Sequence, residues 1–139
     1  MKYIFLIFCM MLFLNAIEYE KSTNIVIDKN NKLMWQDNEE VTQYLETSIT
    51  AKVYCENTIL NGYIDWRVPT LNELINIIEL KNKNAIQAKF KFVNPNIYLS
   101  STSFIEDDSL LWGINFKTGL IVRDQKNNEN YIRCIRDIK

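Results

Sequence analysis

Apolar and polar positions along the chain follow two different periods, which predict strands and helices in different segments. A β-branched run at residues 24–28 and an extended run at 32–36 flank a turn rich in asparagine, and this pattern predicts a hairpin. From residue 39 to about 59 helix formers dominate. Their apolar residues approximate one buried face at helical spacing: Val41, Tyr44, Leu45, Ile49, Val53 and Tyr54. Polar residues interrupt this face, so a loop followed by a helix from about Ser48 is the alternative.

A second helix is predicted to begin inside the stretch YIDWRVPTLNEL at residues 63–74. Pro69 disfavours helical backbone at the residue before it, and Thr70 and Glu73 have the spacing of a capping box. The apolar residues that follow have helical spacing and are expected to face the core: Leu71, Leu74, Ile75 and Ile78.

The residues just before this helix are interpreted as a structural corner. Trp66 is expected to pack beneath the corner. Arg67 is expected either to bridge buried carbonyls or to pair with Asp65, because its planar fork of donors suits a crowded polar junction. A ligand contact by Arg67 is the alternative. The structural motif as a whole consists of Trp35, Asp65, Trp66, Arg67, Pro69, Thr70 and Glu73.

The second half of the chain reads as a long loop followed by strands. The polar stretch at residues 81–96 predicts the loop, and loops of this length often carry function. Strands are predicted at residues 97–104, 110–116, 120–123 and 131–136. The predicted fold class is α+β, with two helices packed on a twisted antiparallel sheet.

The first residues have the pattern of an export signal. An almost unbroken apolar run of about 12 residues extends from Tyr3 to Leu14, whereas a membrane-spanning helix needs about 20. We expect a signal peptide at residues 1–16 that is cleaved after Ala16, and retention as a short anchor is the alternative. The mature chain, residues 17–139, is then a single domain without a membrane span, located in the periplasm, secreted or at the cell surface.

Charge and composition argue against two classes of function. The chain has 16 basic residues, 17 acidic residues and no His. Loss of residues 1–16 removes Lys2 alone, which leaves 15 basic against 17 acidic residues and a net charge of −2. No basic cluster marks a nucleic-acid surface, so nucleic acid is not an expected partner. Because His is the commonest general base near neutral pH, its absence argues against catalysis.

Two cysteines, Cys55 and Cys134, remain after Cys9 leaves with the signal segment. Exported proteins meet an oxidising environment, which favours a disulfide. This disulfide would enclose residues 55 to 134, 80 residues inclusive, and would contribute about 4.5 kcal/mol by the loss of chain entropy in the unfolded state. A reactive or metal-binding thiol pair is the alternative, but the chain has no CxxC spacing and no His to complete a zinc site.

Five motifs occur in an order that resembles the Lcl C-terminal domain family. They are KLMWQD at 32–37, YCENTILNGYIDWRVPTLNEL at 54–74, YLSSTS at 98–103, LWGINFKTG at 111–119 and YIRCIR at 131–136. The resemblance covers about residues 25–136. It implies an exported, C-type-lectin-like domain related to formylglycine-generating enzymes, with a structural disulfide between Cys55 and Cys134. Members of the family look like adhesion or ligand-binding modules.

The chain departs from the family pattern at two positions. Family members usually carry Trp where Leu99 stands and Gly where Lys32 stands. The missing Trp argues against an aromatic platform for sugars beside the strand that contains Ser100, Ser101 and Thr102. These hydroxyls have no neighbouring base to activate a nucleophile, so we expect them to be structural.

Several residues are candidate ligand contacts or metal ligands. Asn94 and Asn96 flank Pro95 in a loop that resembles the Glu-Pro-Asn loop of calcium-dependent lectins, but the partner signature of those lectins is missing. Glu106, Asp107 and Asp108 are candidate ligands for a metal ion, and a solvated acidic run between strands is the alternative. Trp112 is a candidate ligand contact, but a core position on the strand face that it shares with Ile114 is the preferred interpretation.

These observations predict an exported, non-catalytic binding module that needs no cofactor. Its expected ligand is a glycan or an envelope protein, contacted by the loops at residues 81–97 and 106–109. An envelope structural or protein-interaction protein is the first alternative. A relative of formylglycine-generating enzymes is a weaker one, since two cysteines joined in one disulfide cannot handle copper.

Overall fold

The computed structural model describes residues 23–139, so the predicted signal segment lies outside the described residues. In chain order the elements are β1 (Ile25–Asp28), β2 (Leu33–Gln36), a 3₁₀ helix (Glu39–Thr42), β3 (Leu45–Glu46), α1 (Ser48–Asn57), α2 (Leu71–Ile75), β4 (Ile97–Phe104), β5 (Asp107–Asn115), β6 (Leu120–Gln125), β7 (Asn130–Tyr131) and β8 (Ile135–Asp137). None of the helices within residues 23–139 has the length and apolar content needed to cross a membrane.

The strands of residues 23–139 form two sheets, which corrects the expectation of one antiparallel sheet. The smaller sheet has the order β1-β2-β8, and the larger has the order β3-β7-β4-β5-β6. The larger sheet is mixed, because β4 and β7 pair in parallel at Tyr98 and Tyr131. The strand predicted at residues 131–136 is divided between the sheets, because β7 ends at Tyr131 in the larger sheet and β8 begins at Ile135 in the smaller one. The α+β class and the two α-helices are confirmed.

Helix α1 begins at Ser48, as the alternative interpretation predicted, and the continuous helix from residue 39 is wrong. Thr47 and Thr50 form a capping box, in which the Thr50 amide donates to Oγ1 of Thr47 at 3.3 Å. The predicted apolar face is also wrong, because Ile49 and Val53 are 77% and 51% exposed. Ala51 and Cys55 are buried in their place. Cys55 is joined to Cys134, and Ala51 lies four residues before it on the same face of the helix.

Helix α2 begins with the predicted capping box. The Glu73 amide donates to Oγ1 of Thr70 at 3.3 Å, and the Thr70 amide donates to Oε1 of Glu73 at 2.8 Å. The helix ends at Ile75, yet the predicted apolar stripe packs on the core, with Leu74 fully buried. The capping box therefore fixes the position of a helix that is too short to be stable alone.

Two hydrophobic clusters lie on opposite faces of the larger sheet. Tyr98 and Leu99 are neighbours in β4, and they enter different clusters because successive side chains of a strand point to opposite faces. The first cluster contains Trp35, Val41, Leu74, Tyr98, Ile114 and Phe116. The second contains Trp66, Leu99, Leu111, Ile132, Cys55 and Cys134.

The disulfide between Cys55 and Cys134 is confirmed. The two Cα atoms are 5.6 Å apart, within the range for a disulfide, and both residues are buried in the second cluster. The bond links α1 to the segment between β7 and β8, so it joins residues that are separated by 79 positions in the chain.

Candidate functional site

The corner before α2 is built by buried groups and one unusual backbone conformation. Trp66 is 2% exposed, and its Nε1 donates to the Tyr63 carbonyl at 2.9 Å. Pro69 is also buried, whereas Asp65 is exposed and has a φ of 67°. Asp65 belongs to the residue types that best tolerate this left-handed conformation. The chain thus turns sharply at Asp65 and directs Trp66 into the core.

Arg67 is held by two carboxylates, and neither is the predicted Asp65. Its Nη1 and Nη2 donate to the two oxygens of Glu73, both at 2.7 Å. Its Nη2 and Nε donate to Asp137 at 3.1 and 3.2 Å. The pairing with Asp65 and the bridging of buried carbonyls were wrong expectations, because the capping box places the Glu73 carboxylate in front of the guanidinium. Arg67 therefore ties α2 to β8.

These contacts decide the charge of Glu73. Partial burial acts to raise the pKa of the Glu73 carboxyl, but hydrogen bonds from Arg67 and from the Thr70 backbone outweigh it, so the pKa is lowered. The Glu73 hydrogen bonds in turn raise the pKa of Arg67. Glu73 is consequently ionised at neutral pH and already paired, which does not suit a general acid.

A cleft of ≈ 360 Å³ lies between α1 and β4, next to the corner. Its lining residues come from α1, the corner and β4, and they are Ser48, Lys52, Glu56, Arg67, Val68, Leu99, Ser100 and Ser101. Leu99 is 2% exposed and forms part of an apolar floor, whereas Ser101 is exposed. The cleft thus combines apolar and hydroxyl-bearing groups, the mixture that ligand sites commonly use.

A β-bulge in β4 gives Ser101 its place in the cleft. Leu99 pairs with Gly113 and Ser103 pairs with Leu111, so three residues of β4 stand opposite one residue of β5. The buried Ser100 hydroxyl donates to the Trp112 carbonyl at 2.6 Å. The bulged strand is also anchored to the corner, since the Ser101 amide donates to the Pro69 carbonyl at 2.8 Å.

The cleft carries nearly balanced charge. Lys52 and Glu56 form an exposed pair on α1, with Nζ and Oε1 3.9 Å apart. The Arg67 guanidinium is neutralised by its two carboxylates. An anionic ligand would have to compete with these carboxylates for each cation. Its ion pair with an exposed cation would also contribute little free energy of binding. The charges of the cleft are thus largely paired within the protein.

The asparagines predicted as ligand contacts do not line this cleft. Nδ2 of Asn94 donates to the Thr42 carbonyl at 3.3 Å, and Oδ1 of Asn96 accepts from the Ile97 amide at 2.9 Å. The Asn94 carboxamide thus bonds to the end of the 3₁₀ helix, and the Asn96 carboxamide bonds to the first residue of β4. The same loop borders a shallower opening of ≈ 270 Å³, which is lined by Asn82, Lys83, Gln87 and neighbouring residues.

Trp112 lies on the sheet face opposite Leu111 and Leu99. Its ring is partly exposed and meets Phe104 edge to face, with ring centroids 5.4 Å apart. Trp112 is therefore a surface side chain as well as a packing one, and it lies away from the cleft.

The acidic residues at the β4–β5 turn make contacts within the protein. Oδ1 of Asp107 accepts from the amide and the hydroxyl of Ser109 at 2.9 and 2.6 Å, which lowers the pKa of this carboxyl. Asp108 pairs with Lys126 at 2.9 Å, and Glu106 is exposed. Within residues 23–139 no three acidic, thiol or imidazole side chains are grouped so that they hold a metal ion.

One buried polar centre was not identified from the sequence. Arg133 is 1% exposed, and its Nη1 donates to the Gln36 carbonyl at 2.6 Å and to Oδ1 of Asp37 at 3.1 Å. Its Nη2 donates to the Phe92 carbonyl. Asp37 also accepts from the amides of Lys91 and Phe92 at 2.9 and 3.1 Å. This centre fastens the long loop to β2 and to the segment before β8.

Burial and pairing act against each other at Arg133. Burial lowers the pKa of its guanidinium, while Tyr98 and Asp37 oppose the shift. The guanidinium carbon also lies 4.9 Å from the centroid of the Phe90 ring. Asp37 and Arg133 both lie inside the quoted motifs, KLMWQD and YIRCIR, but nothing in either motif shows that they meet.

Fold and site together define a disulfide-linked α+β domain with a shallow cleft beside a clamped corner. The sequence profile of the Lcl C-terminal domain matches residues 24–136, and the chain belongs to this family. The resemblance carried by the five motifs is thereby confirmed. Comparison with curated proteins gives no match to the chain.

Proposed function

We propose that this domain is an exported, non-catalytic binding module that takes a neutral, hydroxyl-rich ligand, such as a short glycan, in the cleft between α1 and β4. The observation that carries the proposal is the cleft itself. Its apolar floor at Leu99 suits the C–H face of a sugar ring, and its rim offers the Ser48 and Ser101 hydroxyls as both donors and acceptors.

Two features support a location in the periplasm, outside the cell or on its surface. The buried disulfide is of the kind that forms in oxidising compartments. The apolar run from Tyr3 to Leu14 has the length of a signal-peptide core. The C-type-lectin-like architecture belongs to the same proposal, and superposition of an experimental structure on known lectin domains tests it.

The contacts of the Ser100 and Thr102 hydroxyls and of the two cysteines support a non-catalytic role. The Ser100 hydroxyl donates to a backbone carbonyl, and Oγ1 of Thr102 accepts from the Leu71 amide at 3.0 Å. Cys55 and Cys134 are joined, so neither is free for the copper chemistry of formylglycine-generating enzymes. Turnover that is lost on Ser101→Ala or Glu73→Gln, with folding kept, would contradict this part of the proposal.

Nuclear magnetic resonance (NMR) titration with neutral oligosaccharides tests the proposed site. We expect amide shifts to change at residues 48–56 and 99–101. Ser101→Phe fills the cleft and should weaken binding at least tenfold, whereas Lys117→Phe adds the same ring at an exposed turn outside the cleft and should leave binding unchanged. Binding that is unaffected by Ser101→Phe, or no binding across a glycan array, would refute the assignment.

A protein-interaction role is the second candidate. The outer face of α1 exposes Ile49 and Val53, and Ile59 just beyond the helix is 74% exposed. Exposed apolar groups of this kind are common at protein interfaces. A stable complex recovered by crosslinking in the cell envelope, lost on Ile49→Ser and Val53→Ser together, would favour this role over glycan binding.

A further inference from the structure

Strand β6 forms one end of the larger sheet. Within the described residues 23–139 the strand order stops at β6, so one side of this strand has no neighbouring strand in that part of the chain. Leu120 and Ile121 are 63% and 48% exposed. An edge of this kind offers unpaired backbone groups to another polypeptide.

The hydrogen-bond pattern shows which residues direct their backbone groups outward. The Trp112 carbonyl accepts from Ser100 and the Phe116 amide donates to Asn96, so the even-numbered residues of β5 face β4. The odd-numbered residues of β5 therefore bond to β6, and Lys126 bonds to Ser109 in agreement with this. Trp112 stands opposite Arg123, and Ile114 stands opposite Ile121.

It follows that Ile121 and Arg123 direct their N–H and C=O groups to the open side of β6. Within residues 23–139 neither residue makes a backbone hydrogen bond outside the helices and paired strands. The next outward amide, that of Gln125, already donates to Oδ1 of Asp124 at 2.8 Å. The open edge is thus defined as the backbone groups of Ile121 and Arg123.

The Arg123 side chain adds a charge to the open edge. Its guanidinium carbon lies 4.5 Å from the Phe104 ring centroid and 5.7 Å from the Trp112 ring centroid. It forms no ion pair with any residue from 23 to 139. The two rings hold the guanidinium in place while its donors stay available, and a carboxylate is the group that fits such a fork.

We propose that the open edge of β6 binds an extended peptide that carries an acidic residue and, two positions later, an apolar residue. The peptide runs antiparallel to β6, so its acidic residue stands opposite Arg123 and its apolar residue opposite Ile121. Backbone hydrogen bonds supply general affinity in this mode, and the side chains at alternate positions supply specificity. This site is separate from the cleft.

A second copy of this chain fits the edge less well than such a peptide. Antiparallel pairing of β6 with another β6 places Ile121, Arg123 or Gln125 opposite Arg123, so none of these registers supplies a carboxylate. In the register that places Arg123 opposite Arg123, the two like charges also destabilise the sheet. A charged residue on an edge strand commonly blocks self-association in this way. Arg123 thus disfavours pairing with β6 of a second copy and favours pairing with a strand that carries an acidic residue.

The test is an NMR titration of the ¹⁵N-labelled domain with the blocked peptide Thr-Glu-Thr-Val-Thr and with its Lys-for-Glu analogue. We expect shifts at residues 120–125 and slower hydrogen exchange at the Ile121 and Arg123 amides. The Lys peptide should bind about fivefold more weakly, the effect of one exposed ion pair. Arg123→Glu should reverse this preference, whereas Lys117→Glu changes the net charge equally and should leave it intact.

Backbone methylation of the peptide provides a test that cannot unfold the protein. Methylation of the Glu and Val amides, which face β6, should abolish binding, and methylation of the central Thr amide should not. The proposal is overturned if neither peptide shifts residues 120–125, if both peptides bind equally, or if the shifts fall at the cleft. Peptide-free dimerisation through β6, or binding there of a neutral sugar alone, would overturn it as well.

Discussion

Removal of the Asp37 carboxylate should cost more stability than removal of any surface carboxylate. Asp37 is 2% exposed and accepts hydrogen bonds from Arg133 and from two loop amides. Asp37→Ala leaves the buried Arg133 guanidinium without its counter-ion and the Lys91 and Phe92 amides without their acceptor. Loss of one partner of a buried ion pair costs about 3–5 kcal/mol. This is a large share of the roughly 5–15 kcal/mol that stabilises a typical domain.

Urea unfolding followed by circular dichroism, with the disulfide intact, measures this effect. With an m value of about 1–3 kcal/mol/M, the midpoint for Asp37→Ala should fall by at least about 1 M. Asp137→Ala is the matched control, because it removes the exposed partner of Arg67, and an exposed pair contributes about 0–1 kcal/mol. Asp37→Asn keeps an acceptor for the amides but removes the charge, so it should fall between the two.

Two results would refute this reasoning. One is an Asp37→Ala midpoint that matches the Asp137→Ala midpoint, since burial would then have no bearing on the cost. The other is a double variant, Asp37→Ala with Arg133→Met, that is less stable than the sum of the single changes predicts. Removal of both charges should recover part of the loss, because no uncompensated buried cation remains.

Three further predictions concern the disulfide, the stability at low pH and two glycines with positive φ. Replacement of both Cys55 and Cys134 by Ala should lower the free energy of unfolding by about 4.5 kcal/mol in urea, and a loss below 1 kcal/mol would contradict the chain-entropy estimate. Glu73 has a folded-state pKa below its ordinary value of 4.5, so its stabilisation is complete above that pH and is lost as the pH falls through the folded pKa. Glu73→Gln should therefore flatten the acid limb of the stability curve, and an unchanged limb would count against the Arg67 contact. Gly119→Ala should lower the melting temperature more than Gly62→Ala does. Both glycines have positive φ, but only a methyl group at Gly119 would clash, since it would lie 2.3 Å from the Leu80 side chain. Equal losses of stability would show that Leu80 moves aside.

Local signals in the sequence identified the elements that local chemistry determines. Thr70 and Glu73 predicted the start of α2, and the turn rich in asparagine predicted the pairing of β1 with β2. The two cysteines, together with an apolar leader, favoured a disulfide that the structure confirms. In each case the residues that form the contact either lie close together in the chain or have few alternative partners.

Features that depend on distant contacts were not predictable in the same way. Helical spacing placed Ile49 and Val53 in the core, but the disulfide turns the Cys55 face of α1 inward, and Ala51 lies on that face. Arg67 pairs with Asp137, 70 residues away, although Asp65 was its nearest acidic neighbour in the chain. The cleft brings together α1, the corner and β4, and no single motif contains all three.

The chain's three tryptophans differ sharply in exposure. Trp35 and Trp66 are 1% and 2% exposed, whereas Trp112 is partly open to solvent on the strand beside β6. An aqueous quencher such as iodide should therefore dim the fluorescence of Trp112 and spare the other two rings. The native protein thus contains a natural optical probe at that surface, and its emission can follow occupancy there without any attached dye.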